Sequence, residues 1–591
     1  MRCYERILPS ITKLFKVNTY TDGPSGSGSV DSTAALEEVN RFGVSQTNCP
    51  CDNSAECVDR SPVKLPNVRL VSANFFLDNT TAEDQQVTHM HTQFGQFLDH
   101  DLVLTPEEDE HECCEEFGAR PSCFPIQIPE NDYFYQSSIL RERGHDQRCL
   151  DHSRSVGCCS DGFESSNHEQ LNGITAFIDA SNVYGSSEFQ SNKLRVKDGS
   201  GRLKVDQNTL LPILQQSPSE SDQGRTAGDS RAAEMPGLAT MHTVFVREHN
   251  RICDALKLHP DIDDSWEDED FYQNARRILI AQMQKIVYNE YLPVIFGRNE
   301  IYRWDLTLSQ NTKYYSYVDP THVNSFGAAA FRFGHTMIQG LIKMFEDILS
   351  TDTFNIYELG QNFFNLTNYE LRDGEGMELI LIGLMRQKAQ SNDRHVSEEL
   401  TNKLFANSNP FMTSTGANIT GVGGDLVSRN IQRGRDHGLP SYAAFYKHLH
   451  QPADISVLDC WSNKPKDISL ENWNLLKRIY NHPHHIDLFV GGLAEEPYSG
   501  GLTGRTFQAI IGQTFRNLKH GDRFFFTHEG NMDSNEFDQI MGRTFGDIIC
   551  DNSPFISGVL ENVFLIDSPV KKCRKNMMNI KAFNISRVIT G

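Results

Sequence analysis

Long apolar runs, net positive charge and regular repeats are all missing from this sequence. No apolar run approaches the roughly 18 residues that a helix needs to cross a bilayer, so no transmembrane segment is expected. The 591 residues carry a formal charge of −23 at pH 7, which argues against binding nucleic acid or anionic membranes through a basic field. No period of about 20–50 residues is apparent, which argues against a repeat architecture. Strand-like alternation is also scarce, and we therefore predict a mainly α-helical fold.

Cysteine spacing of the zinc-binding type is missing as well. The sequence has 14 cysteines, nine of them between Cys49 and Cys159, but no CxxC repeats. Residues 110–114 (EHECC) offer atoms that could bind a metal. However, adjacent cysteines such as Cys113 and Cys114 rarely ligate one ion together. Disulfides formed in an oxidising compartment are the favoured interpretation.

The beginning of the sequence has no apolar core of about 7–15 residues, so no signal peptide is visible. Four N-x-Ser/Thr sequons, at Asn79, Asn365, Asn418 and Asn584, are nonetheless compatible with a secretory route. We therefore expect a secreted or granule protein whose sequence begins after processing, or is truncated or alternatively started.

Helical spacing and its interruptions can be located along the chain. Five apolar residues spaced three or four apart predict one buried helix: Tyr272, Ala275, Leu279, Met283 and Ile286. The acidic residues between Asp261 and Asp270 suit the N-terminus of that helix. Four segments are predicted to be spacers or loops: residues 22–33, 48–59, 217–229 and 408–424.

The most informative segment is Gln96-Phe97-Leu98-Asp99-His100-Asp101. On a helix, Gln96 and His100 lie one turn apart with Asp99 beside them, whereas Asp101 is rotated by about 100°. Taken alone, His100 could be a packed or solvated histidine. An acid–base histidine next to an amide and a carboxylate indicates pocket chemistry, and it leaves Asp101 for a second role.

The surrounding text, HTQFGQFLDHDLVLTP, resembles the distal helix of the animal haem peroxidases. Further matches to this family follow in order along the chain: residues 227–236, 266–297, 331–336, 429–438 and 548–552, with Cys573 near the end. Cys550 and Cys573 look like the family's C-terminal disulfide region. The resemblance covers residues 65–591 and implies one large helical peroxidase domain there. Residues 1–64 depart from the family pattern.

On the distal side of the haem, the resemblance assigns Gln96, His100 and Arg231. His100 would take a proton from hydrogen peroxide and return it to the departing oxygen. Arg231 would hold a fixed positive charge where charge separates as the O–O bond breaks. The alternative for Arg231 is a loop arginine that pairs with Asp229.

Three further residues match positions that attach haem covalently in this family. Asp99 and Glu234 would form esters with haem methyl groups, which would retain a cofactor exposed to its own oxidants. Met235 matches a methionine that a minority of the family links to a haem vinyl group as a sulfonium, which favours chloride oxidation. The alternatives are ordinary salt bridges for the two carboxylates and a flexible gap-filler for Met235.

The proximal side would be formed by residues 331–336 (FRFGHT), in a helical context, and residues 429–438. The resemblance implies that His335 Nε2 binds the iron and that Asn430 accepts a hydrogen bond from the other ring nitrogen. Arg332 and Arg433 would pair with the haem propionates. For His437, a structural role near Asp436 is preferred.

Calcium is the second implied cofactor. Residues 175–181 (TAFIDAS) alternate in a way that, read alone, predicts an ordinary strand. With the resemblance, oxygen donors suited to calcium come from Thr175, Phe177, Asp179 and Ser181, the second through its backbone carbonyl. Asp101 would supply a further carboxylate.

The predicted activity is that of a haem-dependent peroxidase. It would reduce hydrogen peroxide and oxidise halides, thiocyanate or phenols such as tyrosine, with no nucleic-acid partner. Two alternatives are a non-enzymatic adhesion or scaffold protein that keeps the fold, and a fatty-acid oxygenase. A degenerate scaffold is expected to lack key haem residues, whereas His100, Arg231, His335 and Asn430 are all present.

Overall fold

The computed structural model describes most of the chain. The described residues are 2–3, 65–76, 82–107, 113–114, 120–136, 149–157, 170–206, 209, 211–212, 227–406, 411–412, 418–419, 422–451, 456–575 and 578–585. The predictions for residues 22–33 and 48–59 and for the sequon at Asn79 lie outside this part. So does most of the predicted loop at 217–229.

Helices dominate the described residues, which confirms the predicted mainly α fold. The α-helices are α1 (Val68–Phe75), α2 (His89–Leu102), α3 (Ser181–Tyr184), α4 (Glu188–Leu194), α5 (Pro236–Leu256), α6 (Asp268–Ile286), α7 (Leu292–Phe296), α8 (Arg298–Arg303), α9 (Asn324–Ala328), α10 (Thr367–Gly374), α11 (Gly376–Arg386), α12 (Glu398–Thr401), α13 (Leu426–Asp436), α14 (Tyr442–His450), α15 (Leu470–Ile479), α16 (Leu488–Ala494), α17 (Arg505–Gly521), α18 (Ser534–Met541) and α19 (Phe545–Asn552). A π-helical turn spans Val287–Tyr291, and 3₁₀ helices span Ala330–Met337, Leu359–Gln361, Pro483–His485 and Ile580–Ala582. No helix among the described residues is both long and apolar enough to span a membrane.

The strands are short and form six two-stranded antiparallel pairs in the described part of the chain. They are β1 (Arg2–Cys3), β2 (Glu83–Thr88), β3 (Ile126–Gln127), β4 (Cys149–Leu150), β5 (Leu171–Asn172), β6 (Leu341–Met344), β7 (Asn355–Glu358), β8 (Lys388–Gln390), β9 (Phe411–Met412), β10 (Asn418–Ile419), β11 (Gly558–Leu560) and β12 (Val570–Lys572). The pairs are β1 with β5, β2 with β8, β3 with β4, β6 with β7, β9 with β10 and β11 with β12. None of them builds a layer of its own.

Three local predictions can be compared with these elements. The apolar stripe from Tyr272 to Ile286 lies on α6, which begins with a capping box between Glu267 and Asp270, so the acidic cluster does flank a helix start. The alternation in residues 175–181 does not form a strand: residues 176–179 form a bend, and Ala180 has a positive φ of 56°. The predicted loop at 408–424 contains the β9–β10 pair.

Helix α2 lies at the centre of the described fold, where it packs against α5, α11 and the Ala330–Met337 helix. Its apolar face carries Phe94 and Phe97, both fully buried, and Phe97 stacks on Phe245 of α5 with ring centroids 4.9 Å apart. The two helices approach closely because α5 has glycine at position 237. A Cβ there would lie 2.3 Å from Gln93 Oε1 of α2. The polar face of α2 is thus held beside the start of α5.

Six of the described cysteines pair with one another in three disulfides, in agreement with the sequence interpretation, whereas the buried Cys253 is free. Cys113 is bonded to Cys123, whereas the adjacent Cys114 is bonded to Cys149. Near the end of the domain, Cys550 of α19 is bonded to Cys573, as the family resemblance implied. Among the described residues, no group of three or more His, Cys, Asp or Glu side chains is arranged to hold a metal ion.

Candidate active site

A cavity of about 410 Å³ lies between α2, the start of α5, the Ala330–Met337 helix and α13. This volume is within the range of about 300–1,000 Å³ that is typical of ligand and cofactor pockets. Nine of the ten residues predicted to act on or hold haem line it: Gln96, Asp99, His100, Arg231, Glu234, Met235, Arg332, His335 and Arg433. The tenth, Asn430, contacts His335. The fold therefore brings together motifs that are far apart in the sequence.

Asp229 joins His100 and Arg231 on one side of this cavity. Arg231 donates two hydrogen bonds to the Asp229 carboxylate, from Nε at 2.9 Å and from Nη2 at 2.7 Å. His100 Nδ1 lies 3.7 Å from Asp229 Oδ1. The sequence left open whether Arg231 pairs with Asp229 or faces the pocket. In the structure, Arg231 is hydrogen-bonded to Asp229 and also lines the cavity.

The electrostatics of this group favour a neutral imidazole. Burial lowers the pKa of His100 well below its ordinary value, and the positive charge of Arg231 lowers it further. Burial alone would raise the pKa of Asp229, but the charge of Arg231, its hydrogen bonds and the nearby histidines together outweigh burial and hold this carboxyl well below its ordinary pKa. A neutral imidazole beside an ion pair can accept a proton from an acid in the cavity.

Gln96 lies one turn before His100, as its helical spacing predicted, and it also lines the cavity. Its Oε1 accepts a hydrogen bond of 2.9 Å from Gln93 Nε2. The amide is therefore oriented by its own helix.

Asp99 and Glu234 are two carboxylates at the cavity wall. Burial raises the pKa of Asp99 to about 6 and that of Glu234 to about 7, although the positive charge of Arg231 opposes both shifts. The alternative for these residues was a pair of ordinary salt bridges, which would hold their pKa values low. Met235 follows Glu234 directly, immediately before Pro236 at the start of α5, and its side chain is only 6% exposed.

His335 and Asn430 meet at another part of the same cavity. Asn430 Nδ2 lies 2.8 Å from His335 Nδ1, and Asn430 Oδ1 accepts a hydrogen bond of 2.7 Å from Arg332. The contact follows the sequence prediction, but the amide is turned the other way, because an amide nitrogen donates to the ring instead of accepting from it. Burial lowers the pKa of His335 to about 3, with a contribution from Arg332, so this imidazole is neutral.

Both arginines assigned to the propionates line the cavity, and both also have protein partners. Arg332 Nε donates to the Gly327 carbonyl at 2.9 Å. Arg433 donates to the Ser153 carbonyl at 2.8 Å and forms an ion pair with Glu107, which lines the cavity too. His437 is buried near Asp436, with hydrogen bonds to Asn324 and Ser155, which agrees with a structural role.

A second polar centre lies behind α2, where Asp101 is completely buried. Its Oδ1 accepts hydrogen bonds from Ser181 N at 2.5 Å and Ser181 Oγ at 2.7 Å. Asp179 accepts one from Thr175 Oγ1 at 2.8 Å, and Phe177 lies in the bend between these two residues. Burial, together with the negative charge of Asp179, raises the pKa of Asp101 to about 8. A buried and a half-buried carboxylate among hydroxyl groups are a donor set that suits calcium.

This second centre is in direct contact with the loop that carries Asp229 and Arg231. Gly228 packs against the backbone of α3: a Cβ there would lie 2.3 Å from both the Ser181 carbonyl oxygen and Gly185 N. Since any side chain would overlap this backbone, glycine is required. Ser181 thus contacts Asp101 of α2 on one side and the Gly228 loop on the other.

Some residues of the cavity were not found from the sequence. Asp229 was considered only as an alternative partner for Arg231, whereas it lies near both Arg231 and His100. Three residues that line the cavity itself were also missed: Glu107, His91 and Tyr291. His91 lies within the recognised distal helix, where the spacing His91–Gly95–Asp99 would have placed it on one face with Asp99.

Comparison with known proteins identifies the class to which this site belongs. The family model described as animal haem peroxidase matches residues 50–564. Peroxidasin from Drosophila melanogaster is 32% identical over 543 residues, covering 86% of this chain and 33% of that protein. Myeloperoxidase from Mus musculus is 32% identical over 541 residues, covering 86% of this chain and 70% of that protein. This chain therefore spans about a third of the length of the Drosophila relative.

Solved structures agree with this assignment. Peroxidase A from Dictyostelium discoideum has a TM-score of 0.67 at 27% identity and covers 85% of this chain and 92% of its own. Fatty acid alpha-dioxygenase from Oryza sativa, with a TM-score of 0.63 at 17% identity over 85% of this chain and 81% of its own, shares the fold. By class the fold and the cavity belong to a haem peroxidase domain. The chain belongs to the animal haem peroxidase family.

Proposed function

We propose that this protein reduces hydrogen peroxide at the cavity and oxidises halides, thiocyanate or phenols. The observation that carries this proposal is the meeting of His100, Arg231 and His335 around one cavity. We further propose that the catalytic domain spans residues 65–591 and that the protein acts outside the cell or in a secretory granule, in keeping with its disulfides.

The residues at the cavity fit haem. His335 would hold the iron, and Arg332 and Arg433 would neutralise the propionates. Haem, when bound, supplies the iron at which peroxide is reduced and the oxidising equivalents that are passed to a donor. For His335 Nε2 to be available to iron, its proton must reside on Nδ1. The Asn430 amide would then present its oxygen to the ring and release Arg332 from their hydrogen bond.

On the distal side, His100 would transfer the proton. Its Nδ1 is buried beside Asp229, which leaves Nε2 to take a proton from hydrogen peroxide and return it to the departing oxygen. Arg231 would stabilise the charge that develops in this step, and Asp229 would fix the direction of its guanidinium. Gln96 would position the peroxide by hydrogen bonding.

Asp99, Glu234 and Met235 would attach the haem covalently. All three line the cavity, and the two carboxyls have raised pKa values instead of ion-pair partners that would hold them ionised. A sulfonium link at Met235 would withdraw electron density from the ring and favour chloride oxidation.

The test is the resting Soret band of the purified protein, followed by acid–acetone extraction. We expect a red-shifted band and haem that stays with the chain. Asp99→Asn with Glu234→Gln should release the haem, and Met235→Leu should move the band back and reduce chloride oxidation more than iodide oxidation. Met532→Leu, at a buried methionine outside the cavity lining, is the matched control. Haem that extracts from the unmodified protein would refute covalent attachment, whereas a protein that takes up no haem would favour the scaffold alternative.

A calcium ion would be bound by the carboxylates of Asp101 and Asp179, the hydroxyls of Thr175 and Ser181, and the backbone carbonyl of Phe177. The ion would relieve the repulsion between the Asp101 and Asp179 carboxylates. It would also tie α3 to α2 next to His100.

Removal of calcium is expected to lower the thermal stability of the holoprotein. At a calcium concentration about 100-fold above the dissociation constant, binding contributes about 2.7 kcal/mol. Calorimetry with EDTA, and then with added calcium, should show a reversible fall in Tm that Asp179→Asn abolishes. Asp567→Asn, at an exposed carboxylate, should leave the calcium response intact. An unmodified protein whose Tm ignores EDTA would contradict the site.

A further inference from the structure

A series of aromatic side chains connects the cavity to the protein surface. Phe331, which lines the cavity, lies 5.6 Å from Phe515 between ring centroids. Tyr288 follows at 6.2 Å from Phe515, and Phe525 at 5.1 Å from Tyr288. His528 lies 5.7 Å from Phe525, and Tyr314 lies 6.4 Å from His528. Every step is within the range at which aromatic rings are in contact.

The outer end of this ring series is Tyr314, and two further exposed phenols, Tyr315 and Tyr317, follow it closely in the sequence. Tyr314 is 41% exposed and Tyr317 is 81% exposed. Between them Tyr315, 37% exposed, lies 5.5 Å from the Tyr317 ring. Core packing does not account for these tyrosines, since Tyr317 is mostly in water and the other two are well exposed.

Whether an oxidised tyrosine can persist in this series depends on whether its phenolic proton can leave. A tyrosine that loses an electron readily loses its phenolic proton as well. Tyr288 is buried and its hydroxyl donates to the Phe515 carbonyl, which is a poor proton acceptor. Burial raises the pKa of Tyr288 well above its ordinary value, with a contribution from Asp522. Tyr288 therefore has no good acceptor for its proton, whereas Tyr314 is 41% exposed and in contact with water.

We propose that Tyr314, Tyr315 and Tyr317 form a second oxidation site, for phenols that are too large to enter the cavity. This rests on the proposed peroxidase function. Two electrons leave the surface phenols one at a time through the ring series, and two protons leave to water. The balance is two Tyr–OH plus one H₂O₂ giving two Tyr–O• and two H₂O. Each tyrosyl radical then takes one hydrogen atom from a bulky phenolic substrate and is restored.

The experiment compares one phenol in two sizes on the holoprotein. Free tyramine enters the cavity, and tyramine coupled to a large soluble dextran reaches only the surface. We expect Tyr314→Phe/Tyr315→Phe/Tyr317→Phe to oxidise free tyramine at the unmodified rate and to lose at least tenfold in rate on the dextran conjugate. Without any donor, a nitroso spin trap should label the Tyr314–Tyr317 peptide, as read by mass spectrometry.

Two further variants make the outcome decisive. Tyr302→Phe removes a tyrosine that is 75% exposed, and none of the ring pairs in the described part of the chain includes it, so both rates should stay unchanged. Phe525→Leu interrupts the series in the interior and should reduce spin-trap labelling at residues 314–317. Equal loss with free and coupled tyramine would instead indicate damage to the peroxidase centre. Full activity of the triple variant on the conjugate, or labelling elsewhere only, would overturn the proposal.

Discussion

Replacing His100 by alanine is expected to slow the reaction of the holoprotein with hydrogen peroxide by about 10²- to 10⁴-fold, the usual contribution of a general acid–base group. The reason is the loss of the only group proposed to carry a proton between the two peroxide oxygens. Stopped-flow absorbance under single-turnover conditions measures this step directly. The resting Soret band should persist, because His100 is not proposed to hold the haem.

Two further variants distinguish the loss of proton transfer from general damage to the protein. His485→Ala, at a partly buried histidine outside the cavity lining, should react at the unmodified rate. Asp229→Asn keeps the shape of the side chain but removes the ion pair that orients Arg231, and we expect it to cost about 10²-fold, the scale of a small misplacement. A His100→Ala protein that still reacts at the original rate would place the proton carrier elsewhere.

The pH dependence gives an independent check on His100. The reaction requires the neutral imidazole, and burial lowers the pKa of His100 well below its ordinary value of 6.5. The imidazole therefore stays neutral as the pH falls through 6.5. The rate constant for peroxide should remain flat there, whereas a histidine with an ordinary pKa would lose half of its neutral form at that pH.

Replacing His335 by alanine is expected to abolish turnover, because it removes the proposed iron ligand. Such a variant leaves space of imidazole size beside Asn430, and added imidazole should restore part of the activity and of the original absorption spectrum. Peroxidase assays with and without imidazole, together with the spectrum, measure both effects.

The proposed covalent links make this experiment more informative. If Asp99 and Glu234 hold the ring, haem should stay with the His335→Ala chain while its spectrum and activity change. His322→Ala, at a fully buried histidine outside the cavity lining, controls for the loss of a buried imidazole. An active His335→Ala protein with an unchanged spectrum would assign the iron to another residue.

Much of the fold could be predicted from spacing alone where one face of a helix is buried. Helix α6 is an example, because its apolar stripe and acidic start are both local signals. Residues 175–181 show the limit of that approach. Their alternation suggested a strand, but Ala180 and Ser181 donate hydrogen bonds to the buried Asp101, and the chain bends there instead. A contact with a residue some 80 positions away is not encoded in a local pattern.

The same distinction holds for the site. The identities of the cavity residues could be predicted because they stand in long, distinctive motifs. Their partners could not, since Arg433 pairs with Glu107 and Arg332 with Asn430 through the tertiary fold. The direction of the Asn430 amide is likewise set by competition between Arg332 and His335 for one side chain. No sequence pattern shows which of these two residues contacts the amide oxygen of Asn430.

The packing of Gly228 on α3 has a thermodynamic consequence. The Gly228 loop carries Arg231, and α3 carries Ser181, whose hydroxyl holds Asp101 beside His100. An ion at Asp101 and a small molecule at His100 and Arg231 would therefore stabilise one shared arrangement of backbone. Linkage requires such an effect to be mutual: whatever factor the ion adds to the affinity of the cavity for its occupant, the occupant adds to the affinity for the ion.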